Sequence, residues 1–163
     1  MKRILVLAAA AVALSACHPK PSPQAQASQA QAFLAANARK PGVHVLPDGL
    51  QYQVLQSGPA NGGHPQVGDE VKVNYEGKLT SGTVFDSSYQ RGTPAVMPLS
   101  GLIPAWQEAL PMMRPGDVWM LYVPPKLGYG AQGAGDAIPP NAALIFKIEL
   151  IDFLPGPGRT ANG

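Results

Sequence analysis

Apolar and polar residues alternate with a period of two in four segments of the chain, a pattern typical of strands that bury one face. These segments are residues 50–56, 71–76, 118–123 and 144–150. Between the first two, residues 57–69 are dense in Gly, Pro and Asn, which predicts a long loop rather than a continued strand. The pattern therefore predicts a sheet whose strands are joined by long turns.

One short helix is predicted in the same part of the chain, over residues 103–110. Pro104 is tolerated because it lies in the first turn, where no backbone hydrogen bond is lost, and Pro111 ends the helix. A sheet that buries one face against a single short helix belongs to the α+β class. We expect an antiparallel, curved β-sheet, a half-barrel, wrapped around this helix with a cavity between the two.

The N-terminal residues 1–16 have the outline of a secretory signal peptide. Two basic residues precede an unbroken apolar run, residues 4–14, which is too short to span about 30 Å of hydrocarbon as a stable helix. The following Leu-Ser-Ala-Cys resembles the lipobox of bacterial lipoproteins, which implies lipidation of Cys17, the single cysteine of the chain. The alternative is ordinary cleavage at a small-x-small site in residues 11–13, which would leave Cys17 as a free thiol.

Two further segments flank the compact part of the chain. Residues 17–42 are rich in Pro, Ala and Gln and predict a linker, with a short or frayed helix near residues 24–40. Since such a helix is too short for more than a marginal interface, we expect a monomer. The folded domain is expected over residues 43–154, and residues 155–163 are expected to form a disordered tail.

Composition narrows the classes of function. The chain has 12 Lys+Arg and 10 Asp+Glu, a balance too even for the basic surface of a nucleic-acid-binding protein. Its three histidines have no Cys or second His at ligand spacing, so no metal site is predicted. Residues 128–133 satisfy G-x-G-x-x-G, but the prolines Pro139 and Pro140 exclude the helix that dinucleotide binding requires. We therefore expect no cofactor and no nucleic-acid partner.

Aromatic and aliphatic residues concentrate near the predicted turns, where they would also fit a plain hydrophobic core. Four motifs contain them, VNYEGKLTSGTVFDSS, LIPAWQEALPMMRPGD, YVPPKLGYG and IPPNAALIFKIEL, in this order. In their order and spacing these motifs resemble FKBP-type peptidyl-prolyl isomerases, particularly the bacterial exported group that includes the macrophage infectivity potentiator proteins. The resemblance covers residues 49–153, and the family fold, an antiparallel sheet curved around one short helix, agrees with the pattern described above.

The resemblance implies an apolar pocket between the sheet and the helix. Trp106 would be the floor on which a proline ring sits, and the Ile103 N–H and the Tyr129 hydroxyl would donate to carbonyls of the substrate. Arg91 matches a family position that supports the pocket through Asp86 and a tyrosine. The implied catalytic residues are Tyr75, Phe85, Asp86, Ile103, Trp106, Tyr129 and Phe146, and the implied substrate-binding residues are Leu102, Ile138 and Arg91.

This sequence departs from the family pattern at the rim of the implied pocket. Ala95 stands where many eukaryotic members have Phe, and Ala134 stands where some have His. The segment of residues 97–101 is shorter than in the small cytosolic forms. These departures bear on the preferred sequence around proline and on the affinity for macrolide inhibitors.

The implied activity is cis-trans isomerisation of X-Pro bonds in unfolded or partly folded exported proteins. A lipid anchor on Cys17 would hold the enzyme in the periplasm at the outer membrane, because His18 rather than Asp follows the cysteine. Macrolide inhibitors are further implied ligands. The alternative function is a non-catalytic chaperone module that binds proline-containing peptides and would have no use for the polar residues of the implied pocket.

Overall fold

The computed structural model describes residues 21–158, and within this range the chain forms three α-helices and one antiparallel sheet of seven strands. The strands are β1 (His44–Val45), β2 (Gln51–Gln56), β3 (Glu70–Leu79), β4 (Val84–Ser87), β5 (Ala95–Pro98), β6 (Val118–Val123) and β7 (Leu144–Leu154). The helices are α1 (Pro23–Asn37), α2 (Ser88–Arg91) and α3 (Pro104–Ala109). The sheet order is β1-β2-β6-β7-β3-β4, and β5 also pairs with β3.

Strand β3 organises the half of the sheet that carries the site. One of its edges pairs with β7 along its whole length, from Glu70 opposite Leu154 to Leu79 opposite Leu144. Its other edge is shared, because β5 pairs with residues 70–73 and β4 pairs with residues 76–78. Three strands, β4, β5 and β7, therefore pair with β3.

The inward face of the sheet packs on α3, as the period-two pattern predicts. Val71 and Val73 of β3 are completely buried, whereas Lys72 between them is exposed. Helix α3 contributes Ala105 and Trp106 to the same hydrophobic core. The predicted α+β architecture, an antiparallel sheet covering one short helix, is confirmed.

Strands β4 and β5 and the single-turn helix α2 are additions that the periodicity did not predict. In β4 the two apolar residues Val84 and Phe85 are adjacent, and in β5 the apolar Val96 points outward, with 61% of its surface exposed. Neither strand shows a clean alternation. Each forms because it completes the hydrogen-bonding edge of β3.

Helix α1, in the segment expected as a linker, is docked on the domain through the residues near its C-terminal end. Asn37, almost fully buried, donates from Nδ2 to Gln51 Oε1 at 2.9 Å. Gln51 Nε2 in turn donates to the Leu34 carbonyl at 2.9 Å. The ring of Phe33 lies 6.2 Å from that of Tyr122. Side-chain hydrogen bonds to β2, which composition alone does not reveal, hold the helix in place.

The chain also contacts the domain near the C-terminal end of the described range. The Gly156 N–H, in the segment expected to be a tail, donates to Asp69 Oδ1 at 2.9 Å, so the chain makes a specific contact beyond β7. The expected signal peptide, residues 1–16, and the expected lipidation site, Cys17, lie outside the described residues, as do residues 159–163. Within residues 21–158, none of the helices combines the length and the apolar character needed to cross a membrane.

Candidate functional site

A glycine in β3 makes room for the walls of a pocket. Gly77 lies opposite Phe146 of β7 and opposite Asp86 of β4. A Cβ atom at this position would lie 2.7 Å from the rings of both Phe146 and Phe85, closer than packed atoms approach. The missing side chain therefore lets two aromatic rings from neighbouring strands meet over β3.

Four aromatic rings pack edge to face in a continuous row. Trp106 of α3 lies in the middle, with its centroid 5.2 Å from that of Tyr75 and 5.3 Å from that of Phe146. Phe146 continues the row to Phe85 at 5.6 Å. All three interplanar angles are between 84° and 86°, the T-shaped geometry that aromatic pairs favour. The row joins the helix to both edges of β3 and holds the rings in defined positions.

These rings enclose a cavity of about 260 Å³ between the sheet and α3, which we call the aromatic pocket. Its lining residues are Tyr75, Phe85, Asp86, Met97, Gly101, Leu102, Ile103, Trp106, Tyr129 and Phe146. Eight of the ten side chains that the resemblance implied for the site lie in this lining. Residues from β3, β4, β7, α3 and the loops around them are thus brought to one place.

The other two implied residues lie behind the lining. Ile138 is 4% exposed and exchanges backbone hydrogen bonds with Ala134, so its side chain packs in the core rather than in the lining of the pocket. Arg91 lies outside the lining and contacts it through other side chains.

Two lining residues, Met97 and Gly101, are absent from the implied set. Both belong to the segment that departs from the family pattern, which already placed that segment at the rim. Met97 pairs with Val71 and points to the same side as Ala95, whereas Val96 between them is exposed. Because Ala95, Val96 and Met97 are all apolar, the sequence of β5 carries no alternation that could have assigned Met97 to the pocket.

A polar cluster forms one corner of the aromatic pocket. The Tyr75 hydroxyl and the Arg91 guanidinium both donate to the Asp86 carboxylate, and Arg91 Nη2 also donates to the Tyr75 hydroxyl at 3.0 Å. Burial alone would raise the pKa of Asp86, but the hydrogen bonds from Tyr75 and Arg91 outweigh burial and lower it. Burial and the hydrogen bond to Asp86 raise the pKa of Tyr75. Asp86 is therefore ionised and Tyr75 protonated at neutral pH.

Helix α2 positions this cluster. Ser87 caps the helix by accepting from the Gln90 N–H, and Gly92 ends it with a left-handed φ of 72°. The single turn brings Arg91 back toward Asp86, five residues earlier. The buried Ser88 hydroxyl accepts the Tyr75 N–H at 2.8 Å and links the helix to β3. The turn thus serves to hold a charged side chain beside the aromatic pocket.

Two donors at the pocket lining have no hydrogen-bond partner among residues 21–158, the Ile103 N–H and the Tyr129 hydroxyl. Ile103 precedes α3, and its carbonyl accepts the Trp106 N–H at 2.9 Å, so the direction of its backbone is determined by the helix. Gln107 Nε2 donates to the Leu102 carbonyl at 2.7 Å and holds the preceding peptide. Burial, with a further contribution from the negative charge of Asp86, raises the pKa of Tyr129 and keeps its hydroxyl protonated.

A carboxyl pair lies on the far side of α3. Burial and a hydrogen bond with Asp48 raise the pKa of Glu108 to about 7, so this pair holds a proton close to neutrality. Because Asp48 belongs to the turn before β2, the pair connects that turn to the helix that carries Trp106.

Other candidate chemistry is not assembled. Among residues 21–158, no three His, Cys, Asp or Glu side chains are grouped so that they could hold a metal ion. His44 lies in β1 and stacks on Tyr52, while His64 Nε2 accepts from Arg114 Nε at 3.1 Å. Residues 128–133 form turns, and no helix begins there.

Comparisons with known proteins agree with this geometry. A family model described as FKBP-type peptidyl-prolyl cis-trans isomerase matches residues 62–151, which contain every lining residue of the aromatic pocket. A second family model, described as the domain amino terminal to FKBP-type peptidyl-prolyl isomerase, matches residues 8–54 and so includes α1.

Individual relatives cover the same part of the chain. Peptidyl-prolyl cis-trans isomerase Mip of Coxiella burnetii is 60% identical over 121 residues, 74% of this chain and 52% of the relative. Outer membrane protein MIP of Legionella longbeachae is 49% identical over 120 residues, 74% of this chain and 51% of the relative. The chain thus spans about half the length of these curated relatives.

A solved structure extends the comparison to the fold. The crystal structure of a peptidyl-prolyl cis-trans isomerase from Pseudomonas syringae pv. tomato superposes with a TM-score of 0.75 at 37% identity, covering 82% of this chain and 96% of the other. The family models, the sequence relatives and the superposed fold agree with one another, and on this evidence the chain belongs to the FKBP-type peptidyl-prolyl cis-trans isomerase family.

Proposed function

We propose that this chain is a peptidyl-prolyl cis-trans isomerase that accelerates rotation about X-Pro bonds in exported proteins. The observation that carries the proposal is the aromatic pocket, which combines apolar walls with two free hydrogen-bond donors. Its volume of about 260 Å³ lies below the roughly 300–1,000 Å³ of pockets for drug-sized ligands. A pocket of this size suits a single prolyl ring.

The chemistry needs no covalent bond between protein and substrate. Rotation about an X-Pro bond is slow because the twisted amide loses its resonance, at a barrier of roughly 18–20 kcal/mol. The planar amide is more dipolar than the twisted one, so transfer from water into apolar surroundings destabilises the planar ground state more than the transition state. Each 1.4 kcal/mol of such discrimination, approximately, accelerates the reaction tenfold.

Different residues of the pocket have different roles in this reaction. Trp106 and Phe146 supply the apolar surface against which the ring packs. The Ile103 N–H and the Tyr129 hydroxyl donate to substrate carbonyls, so that the acyl side is held while the prolyl side turns. Asp86 and Arg91 keep the Tyr75 side of the pocket in place. A macrolide inhibitor would compete for the apolar surface with the part of it that enters this pocket.

An isomerase assay on the full chain tests this proposal. We expect the protein at micromolar concentration to accelerate exchange between the cis and trans forms of a peptide with one Ala-Pro bond, and to accelerate the proline-limited refolding of a protein. The alternative, a chaperone module that only binds proline-containing segments, predicts suppressed aggregation of an unfolded client with no acceleration of either exchange. That second outcome would overturn the enzymatic proposal.

The location of the protein is a further proposal. We propose that the chain is a periplasmic lipoprotein, anchored to the outer membrane by acyl chains on Cys17 and acting as a monomer on proline-containing exported proteins. Support comes from the Leu-Ser-Ala-Cys sequence and from a relative named Outer membrane protein MIP. Acyl chains contribute about 0.8 kcal/mol per buried CH₂, so two or three are enough for a stable anchor.

Cys17→Ser is expected to move the protein from the membrane fraction to the aqueous fraction, because serine offers no thiol for acylation. Detergent partitioning of cells that express each form provides the measurement. Ser15→Ala, a matched change two residues away, should leave the distribution as it is. Equal membrane association of the Cys17→Ser and unmodified forms would contradict the anchor.

A further inference from the structure

A second cavity, which we call the side cavity, lies next to the aromatic pocket. It has a volume of about 400 Å³, and its lining is mainly apolar, with Thr83 and Asp136 as its polar residues and Leu79, Val84, Ala137, Pro139 and Pro140 among the apolar ones. Phe85 lines both the side cavity and the aromatic pocket. The two cavities are therefore neighbours that share one aromatic ring.

The chain itself places an extended polypeptide at the side cavity. Pro21 is one of its lining residues. The chain is held immediately after this residue, since Ser22 caps α1 and Asn141 Nδ2 donates to the Pro23 carbonyl at 3.2 Å. Pro21 is exposed, so the chain forms an outer wall of the side cavity at this point and leaves its interior open.

We infer that the side cavity is a second subsite for the client polypeptide and takes an apolar side chain located about two to four residues from the proline. The inference rests on the proposed function, since it assumes a prolyl segment in the aromatic pocket. An extended chain advances roughly 3.3 Å per residue, so a few residues carry it past the shared ring of Phe85. The favoured clients are then proline segments with apolar flanks.

The shared ring favours a client over other occupants. Because Phe85 lines both cavities, a chain seated in the aromatic pocket would pass the side cavity, and an apolar side chain that enters it would be removed from water. An unfolded exported protein presents many such side chains, whereas a folded one has buried them. The side cavity would thus direct the enzyme toward unfolded segments.

Two decapeptides with one Ala-Pro bond test the subsite. One peptide carries leucine and the other carries serine at the positions two to four residues from the proline, and NMR exchange measures kcat/KM for each. For the unmodified protein we expect the leucine peptide to be favoured by about tenfold or more, the scale expected for burying one apolar side chain. In Val84→Glu this ratio is expected to fall toward one, because a charge in the side cavity disfavours an apolar occupant.

Two further variants make the measurement specific. Val96→Glu is the matched control, because Val96 is 61% exposed and lies on β5, outside the side cavity, so the ratio should stay as in the unmodified protein. Ala137→Glu places the charge in the same cavity but on an exposed loop. It replaces Val84→Glu in the test if that variant, whose substitution lies in the half-buried β4, does not fold. Equal ratios in Ala137→Glu and Val96→Glu, or no leucine preference in the unmodified protein, would overturn the subsite.

Two remaining outcomes separate the competing explanations. If the unmodified protein isomerises neither peptide, the proposed function fails and the subsite fails with it. If it isomerises both peptides equally, the subsite alone fails.

Pro21→Gly is expected to lower the leucine preference, because one wall of the side cavity is lost. A higher preference in this variant would show that the N-terminal segment itself occupies the side cavity and competes with clients, which would overturn the assignment.

Discussion

Asp86→Ala is expected to lower kcat/KM for X-Pro isomerisation by about tenfold or more while the domain stays folded. The carboxylate accepts hydrogen bonds from both Tyr75 and Arg91, so its removal frees a phenol in the lining and a guanidinium behind it. The fold should tolerate the change because 43% of the Asp86 side chain is exposed. Peptide exchange rates measure the loss of activity, and circular dichroism measures whether the domain stays folded.

The size of this effect follows from the charge on Asp86. Hydrogen bonds to an ionised group contribute roughly 1.5–3 kcal/mol, and a loss of about 1.4 kcal/mol from the transition state corresponds to a tenfold lower rate. Asp152→Ala is the matched control, since this exposed carboxylate lies outside the aromatic pocket. Equal activity of Asp86→Ala and Asp152→Ala would remove the polar cluster from the proposed mechanism.

Gly77→Ala is expected to destabilise the domain by about 2 kcal/mol and to reduce isomerase activity at the same time. The added methyl group would lie 2.7 Å from the rings of Phe85 and Phe146, and neither ring is free to retreat from the row of aromatic contacts. The rings must therefore shift, and two walls of the aromatic pocket shift with them. Urea denaturation gives the stability, and peptide exchange at low temperature gives the activity of the folded fraction.

Gly68→Ala provides the control for this prediction. Gly68 is exposed, and a Cβ atom built on it meets no other atom within 4 Å. The change should therefore leave both stability and activity close to those of the unmodified protein. A Gly77→Ala variant as stable and active as Gly68→Ala would show that the two rings have room to move, against the close packing described here.

Local patterns predicted the long elements of the domain correctly. Strands β3, β6 and β7 follow the period-two alternation, and α3 follows its proline boundaries, because in these segments side chains face the core or water in turn. Strand β2 forms where it was predicted, but its burial does not alternate, since Gln51 is buried beside α1 and Val54 is exposed. Strands β4 and β5 were not predicted from the sequence, because these four-residue segments form only through pairing with β3. The docking of α1 was not predicted for a similar reason, since it depends on the hydrogen bond between Asn37 and Gln51.

The candidate site shows the same division. Motif resemblance named eight of the ten lining residues, because short motifs record which side chains occur together. It could not reveal that Ile138 packs in the core or that Met97 and Gly101 complete the lining. Those assignments depend on the register of β5 against β3 and on the direction of the loop before α3.

The class of the fold, the order of its long elements and the family can be read along the chain, because hydrophobic alternation and motif order are local properties. The folded arrangement was needed to show that Gly77 leaves space for two rings, that Arg91 folds back onto Asp86, and that Phe85 lines two cavities. Each of these features joins residues on different strands or helices. Their distances depend on strand register and packing, which no local pattern encodes.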